Sequence, residues 1–290
     1  MKILAIGDID NADDLEKLSE LDLEQYSCLI LTGDMAGLPI SWKLGKARGM
    51  NDIGFIPQEK KPKEFYNEFL TPCVDKLKTV DSYLNDIKSR IKIFSVYGNT
   101  DFKSIVNRVN PKSFTILHKK SIQVEDIYLV GYNGHPMYPW EIENPNKVDI
   151  FGYTYAETAN ELNSFKEDDI FNNLSNLTKN VPSNKTIVVT HTPPYQILDQ
   201  VKSELIPWAI KSYGDRAKDG NIGSIGLRDF IFKYNPLMSI YGHIHEAQGM
   251  KTIGKTCCIN TGKFTEDYVD IEIKNGSVNA KFERLRYNAI

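Results

Sequence analysis

The chain has 290 residues, 41% of them hydrophobic, with a formal net charge of −3. That length can bury a large core, and the near-neutral balance, with Lys and Arg spread along the chain, gives no general signal for nucleic acid or an anionic membrane. No run approaches the roughly 18 apolar residues of a spanning helix, and the opening Met1-Lys2-Ile3-Leu4-Ala5-Ile6-Gly7-Asp8 is too short and too soon acidic for a signal peptide, so no membrane partner and a cytoplasmic location are expected.

Short apolar runs recur, each ending in a polar or glycine-containing turn: Ile3–Ile6, Cys28–Leu31, Ile91–Tyr97, Ile127–Val130, Ile187–Val189 and Leu237–Tyr241, with Cys257–Ile259 a further one. Such runs read as strands buried on both faces. Helical patterns lie between them. Asn11 is placed as an N-cap before Asp13 and Asp14, with Leu15 and Leu18 three apart. Residues 62–90 start at a proline and carry the stripe Phe65, Phe69, Leu70, Val74, Leu77, Val80, Leu84 and Ile87, which predicts one or two helices. Residues 155–180 predict one or two more. Strand–helix alternation argues an α/β fold. Near the C-terminus, residues 267–284 alternate with period two around Asn275-Gly276, which predicts a β-hairpin and therefore mixed rather than purely parallel sheets. Without a repeat or a long Gly/Ser/Pro-rich linker, residues 1–290 read as one domain. The cysteines, Cys28, Cys73, Cys257 and Cys258, show no zinc spacing and read as buried free thiols.

Polar residues with ligand chemistry follow the apolar runs directly. Asp8 follows Ile6-Gly7, Asp34 follows Leu31-Thr32-Gly33, and Asn99 and Asp101 follow Val96-Tyr97-Gly98. His191 ends Thr186-Ile187-Val188-Val189-Thr190, and His243 and His245 follow Met238-Ser239-Ile240-Tyr241-Gly242. A glycine lets the chain turn and approach closely at a strand end, and α/β sheets bind ligands beyond the carboxyl ends of their strands. Five strand ends would thus converge carboxylate, amide and imidazole on one spot, a set suited to Mn²⁺, Fe or Zn²⁺ rather than a thiolate-preferring metal.

In these stretches the sequence resembles the calcineurin-like metallophosphoesterases. The family pattern D-x-H, G-D-x-x, G-N-H-D/E, a lone H and G-H-x-H has its counterparts here in Gly7-Asp8-Ile9-Asp10, Gly33-Asp34-Met35-Ala36-Gly37, Gly98-Asn99-Thr100-Asp101, His191-Thr192-Pro193-Pro194 and Gly242-His243-Ile244-His245. Residues 223–262, with Gly-His-Ile-His-Glu-Ala-Gln-Gly and Ile-Asn-Thr-Gly, resemble the Icc-related phosphoesterases within that family. The resemblance implies a four-layer α-β-β-α sandwich of two mixed sheets. It also implies two divalent metal ions. Metal one would take Asp8, position 10, Asp34 and His245; metal two would take Asp34, Asn99, His191 and His243. A hydroxide between metals about 3.5–4 Å apart would attack a phosphodiester or phosphomonoester in line.

Two positions depart from the pattern. Asp10 stands where the family has a histidine. If it ligates, three acids face two metals, the site is less positive, and a monoanionic diester is favoured over a dianionic monoester. Thr100 replaces a histidine that assists the transition state or leaving group, and a threonine hydroxyl cannot act as an acid near pH 7. His135, in Gly131-Tyr132-Asn133-Gly134-His135-Pro136, is a candidate substitute; His118 is expected at the surface. Asp101 is expected to orient Asn99 or its loop. The long stretch 36–61, with Trp42, Lys43, Lys46 and Arg48, and the aromatics Tyr138, Trp140, Tyr153 and Tyr155 are candidates for substrate contact. The expected partner is a small phosphoester, with a nucleotide among the candidates. The rival readings are an interaction scaffold with an impaired site and an enzyme of pyrophosphate-type linkages.

Overall fold

Two six-stranded mixed sheets lie face to face, with helices against both outer surfaces. The computed structural model describes residues 1–37, 62–147, 154–265 and 267–285. Residues 38–61 and Tyr153 of the substrate-contact stretches, and the side chains of Trp140 and Tyr155, lie outside what is described.

With strands numbered in chain order, the first sheet runs β16 (Ser277–Arg284), β15 (Asp267–Lys274), β1 (Lys2–Ile6), β3 (Cys28–Leu31), β4 (Ile93–Ser95) and β5 (Thr115–Ile116). Neighbours from β1 to β5 are parallel, while β15 joins β1 antiparallel and turns back into β16. The second sheet runs β12 (Gly249–Ile253), β13 (Thr256–Asn260), β11 (Met238–Tyr241), β10 (Thr186–Thr190), β7 (Ile127–Tyr132) and β6 (Lys120–Val124), with four parallel central strands and antiparallel edges. Two short parallel pairs stand beside these sheets. One joins β2 (Asp8–Ile9) to β14 (Lys263–Phe264), and the other joins β8 (His135–Pro136) to β9 (Ser164–Phe165).

Alternation along the strands divides the core. Ile3, Ala5, Cys28, Ile30 and Phe94 of the first sheet meet Leu129, Ile187, Val189, Ile240 and Ile259 of the second. Leu4, Ile6, Leu29 and Leu31 face outward, onto the helix α1 (Pro62–Ile87). That helix buries Leu70, Cys73, Leu77, Val80, Leu84 and Ile87, a stripe spaced alternately by three and four residues. Each fully buried leucine contributes about 2 kcal/mol of transfer free energy. The other outer face carries Val130, Tyr132, Val188, Tyr241 and Cys258 against Ile170, Leu174, Leu227, Phe230 and Ile231. Those come from α5 (Glu167–Thr178) and α7 (Ile225–Tyr234); α2 (Lys103–Val109), α3 (Pro139–Glu143), α4 (Tyr155–Glu161) and α6 (Ile206–Tyr213) complete the described α-helices.

Several expectations are sharpened. Asn11 caps the next segment by accepting from Asp13 N–H, but Ala12–Glu20 coils as a 3-10 helix. Its buried residues Ala12, Leu15 and Leu18 recur every third position, which is the period of that coil. Residues 62–87 form one helix, with the exposed Pro72 inside it. The hairpin Asn275-Gly276 turn is present. All four cysteines are free thiols, with Cys257 only partly buried. His118 is not a surface residue: its Nδ1 accepts from Asn133 N–H at 3.0 Å, and its ring packs between Tyr132 and Phe165. Burial, then the nearby Lys119, push its pKa down to about 4. Among the described residues, no helix is long and apolar enough to cross a membrane.

Candidate metal centre

The parallel strands of the two sheets end at one edge of the sandwich, and the polar residues singled out in the sequence sit just beyond them. Asp8 follows β1, Asp34 follows β3, Asn99 and Thr100 follow β4, His191 follows β10, and His243 and His245 follow β11. The glycines that precede them are there for room. A Cβ on Gly98 would run into the Asp34 carboxylate, and one on Gly242 would meet the Asp8 carboxylate. Gly98 and Gly242 thus let one strand end accept its neighbour's carboxylate. Asp34 and His243 both adopt a left-handed backbone, with φ of 52° and 68°, a conformation uncommon outside glycine and found where a site imposes it.

His191 anchors the cluster. It is wholly buried, and its Nδ1 lies 2.9 Å from the Thr32 carbonyl. A carbonyl only accepts, so Nδ1 carries the proton and Nε2 is left to face inward. There Nε2 stands 3.0 Å from Asn99 Oδ1 and 3.4 Å from Asp34 Oδ1. Asp34 Oδ1 also accepts from Thr100 N–H at 2.9 Å. The His243 ring packs edge-on to His191 at 4.7 Å, and its buried Nε2 has no hydrogen-bond partner. One ligand atom each from Asp34, His191 and His243 lie within 4.8 Å of one another. A buried imidazole nitrogen without a partner is costly, and a cation shared with Asp34 and His191 would satisfy it. The residues present therefore fit a divalent metal.

Electrostatics agree with a cation-seeking site. Burial raises the Asp34 pKa, opposed by His191 and reinforced by Asp8. Burial opposes charge on His191, yet Asp34 and Asp8 outweigh it and raise that pKa. His243 is pushed well below the ordinary histidine value by burial and by the neighbouring His191, so it is a neutral donor. On the other side, Asp8 Oδ2 lies 2.7 Å from His245 Nε2, and Asp8 Oδ1 accepts from His243 N–H at 3.2 Å. Burial works against charge on His245, but the Asp8 contact carries its pKa up to about 9. Asp10 does not join the close cluster; its carboxylate is ion-paired with Lys263 Nζ.

Asp101 is fully buried and faces its own loops. Oδ1 accepts from Ala36 N–H at 2.7 Å and Oδ2 from Gly98 N–H at 2.9 Å, so it ties the Asp34 loop to the Asn99 turn. Burial, then Asp34, raise its pKa to about 6. His135 is not placed to protonate a leaving group. Its Nδ1 lies 2.7 Å from the Pro136 carbonyl and its Nε2 3.1 Å from Ser164 Oγ, so both nitrogens are engaged, and burial holds its pKa near 4. Its ring instead stacks parallel to His243, 6.2 Å away. Tyr138, a candidate for base stacking, packs against His135 and Tyr213.

Asn163 was not singled out in the sequence. Its Nδ2 donates to Gly98 O at 3.1 Å and Asp101 O at 3.0 Å, bracing both ends of the turn that carries Asn99 and Thr100. Its left-handed φ of 54° was a structural requirement without a glycine to announce it. The only local hint was an asparagine next to a loop.

The strand ends of a two-sheet sandwich thus gather His, Asp and Asn side chains at one edge. The calcineurin-like phosphoesterase family model matches residues 1–247, and the chain belongs to that family. In general terms it is a metal-dependent phosphoesterase. An uncharacterized protein of Methanocaldococcus jannaschii is 26% identical over 226 residues, covering 75% of this chain and 88% of its own length. A UPF0046 protein of Caenorhabditis elegans is 30% identical over 166 residues, 57% of this chain, and the match spans 42% of that longer relative. One solved crystal structure shares the fold with a TM-score of 0.64 and 18% identity, over 98% of this chain and 99% of its own.

Proposed function

We propose that the chain hydrolyses a small phosphoester, diester or monoester, at a dinuclear centre of divalent cations. The observation that carries this reading is the inward-facing triad of Asp34, His191 and His243, with its orphaned imidazole nitrogen. One cation would be held by Asp34, Asn99, His191 and His243, the other by Asp8, Asp34 and His245, with Asp10 within the same segment as Asp8. Cations bound there supply positive charge to a phosphoryl oxygen and lower the pKa of a water. The mixed imidazole and oxygen donors favour Mn²⁺, with Fe and Zn²⁺ next. The chain's own contribution is placement. Thr32 O holds the tautomer of His191, Thr100 N–H fixes one oxygen of Asp34, and Asp101 with Asn163 holds the Asn99 turn. The Thr100 hydroxyl keeps its proton near neutral pH, so it can donate a hydrogen bond but not protonate a leaving group. Esters with good leaving groups suit such a site. The reading takes residues 1–290 as one unit, supported by the interior that both sheets share.

The test is Asp34→Asn, assayed with Mn²⁺ on bis-p-nitrophenyl phosphate and p-nitrophenyl phosphate alongside metal analysis. Losing a carboxylate shared by both cations is expected to lower the rate by about a hundredfold or more. Full metal content with the full rate overturns the assignment. A wild-type chain that binds no metal and cleaves neither ester is an interaction scaffold instead.

A further inference from the structure

The two poles of the candidate centre are built differently. The pole formed by Asp34, Asn99, His191 and His243 is anchored on the fully buried His191, and its inward imidazole nitrogens belong to His191, whose tautomer is set by Thr32, and to His243, which lacks a partner. In the pole formed by residues 8–10 and His245, Asp8 is buried while Asp10 and His245 are partly exposed, and a positive charge already stands there. Lys263 Nζ is ion-paired with Asp10, with side-chain exposures of 36% and 33%. The backbone holds that pair in place: β14 runs parallel to β2 with Lys263 opposite Asp8. Asp8 lies in β2 and Asp10 just beyond its end. A second ammonium approaches from another layer, since Lys76 of α1 donates to Ile9 O and also closes on Gly37. Two lysines from separate elements thus flank the segment that would supply Asp8 and Asp10 to a metal.

We propose that the centre loads its two cations unequally: a tight one at Asp34, Asn99, His191 and His243, and a weaker, exchangeable one at Asp8, Asp10 and His245 that shares Asp34, with Lys263 setting the affinity of the second by competing for Asp10. The inference rests on the dinuclear reading above. Its physical basis is direct. A divalent ion that uses Asp10 must share the carboxylate with an ammonium or displace it, and it feels that fixed charge at close range. The pair is partly solvated, so the competition is moderate and weakens with salt. Free divalent-cation concentration would then govern the fraction of molecules carrying both ions.

The experiment is a Mn²⁺ titration of the full chain, stripped with EDTA and dialysed, followed by calorimetry at low salt and checked by metal analysis. The wild type is expected to bind two ions in steps separated by about tenfold or more. Lys263→Met and Lys263→Gln are expected to tighten the second step by about tenfold while leaving the first unchanged. Asp10→Asn is expected to weaken the second step, and adding Lys263→Met in that background to change little. Two equal steps in the wild type, or a second step that Lys263 variants leave alone or weaken, overturns the inference while the dinuclear reading stands. A wild type that binds no Mn²⁺ overturns both.

Discussion

Glu141 shows how a single buried group shapes the surroundings of the centre. It is 1% exposed, and its Oε2 accepts from Tyr138 N–H at 2.8 Å. Its Oε1 lies 3.4 Å from Ser164 Oγ, which is also 3.1 Å from His135 Nε2. Ser164 Oγ donates its one proton to Glu141 Oε1 and has His135 Nε2 on its other side. Burial raises the Glu141 pKa from 4.5 to about 7, opposed by the Tyr138 and Ser164 hydrogen bonds. For an acid with a raised folded pKa, the folded state retains a proton that the unfolded chain has lost. Stability is therefore full below pH 4.5 and declines as pH rises toward about 7. Glu141→Gln copies the protonated form. Relative to wild type it is expected to be neutral near pH 4 and to gain up to about 3 kcal/mol by pH 8. Urea unfolding at both pH values measures this, and an equal difference at both would refute it. Sequence reasoning named His135 in this group only as one candidate for the missing leaving-group acid. The Pro136 carbonyl and the Ser164 hydroxyl that close off its nitrogens come from backbone geometry and from a residue on another strand, and residue type carries no trace of either.

At the scale of elements, the loops after the strands are tied to one another more than to their own strands. Gly134 N–H donates to Tyr97 O at 2.6 Å, and His135 N–H donates to Asn163 O at 3.2 Å. Gly134 has φ +69°, and a Cβ there would run into the Asn163 carbonyl. Gly134→Ala combines a strained backbone with displacement of the residue that braces the Asn99 turn. It is expected to cost about 1–3 kcal/mol, a fall in Tm of roughly 4–10 °C, and to weaken Mn²⁺ binding. An unchanged Tm and unchanged binding would show that the loops are independent. The main strands and the hairpin were legible because each is a short run whose periodicity matches its burial. The helices α6 and α7 were not read, although α7 carried a signal: Ser224 caps it by accepting from Leu227 N–H at 3.0 Å, and Asn235 ends it at φ 47°. Its apolar residues are interrupted by Arg228 and Asp229 at the surface, which hides the stripe from a reading by runs.

For the whole molecule, the candidate centre joins both sheets, since the residues proposed to hold the cations follow β1, β3 and β4 on one side and β10 and β11 on the other. Cations held there would cross-link the layers, and ligand bound only by the folded state stabilises it. At Mn²⁺ a hundredfold above its dissociation constant the gain is about 2.7 kcal/mol, or roughly 5–10 °C in Tm. EDTA should reverse the shift, and Asp34→Asn should reduce it; a Tm indifferent to Mn²⁺ would count against a centre between the sheets. The sequence by itself determined where the main strands lie along the chain and which residues stand beyond their ends, because local periodicity and glycine spacing are properties of neighbouring residues; the sandwich class followed from the resemblance of those motifs to the family. The tertiary structure alone decided which atoms face one another. It turned His191 Nε2 inward by giving Nδ1 to Thr32, set Asp10 against Lys263 rather than in the close cluster, and sealed His135 away. Those outcomes depend on contacts between residues far apart in the chain, where charge, burial and hydrogen-bond direction are settled only by packing.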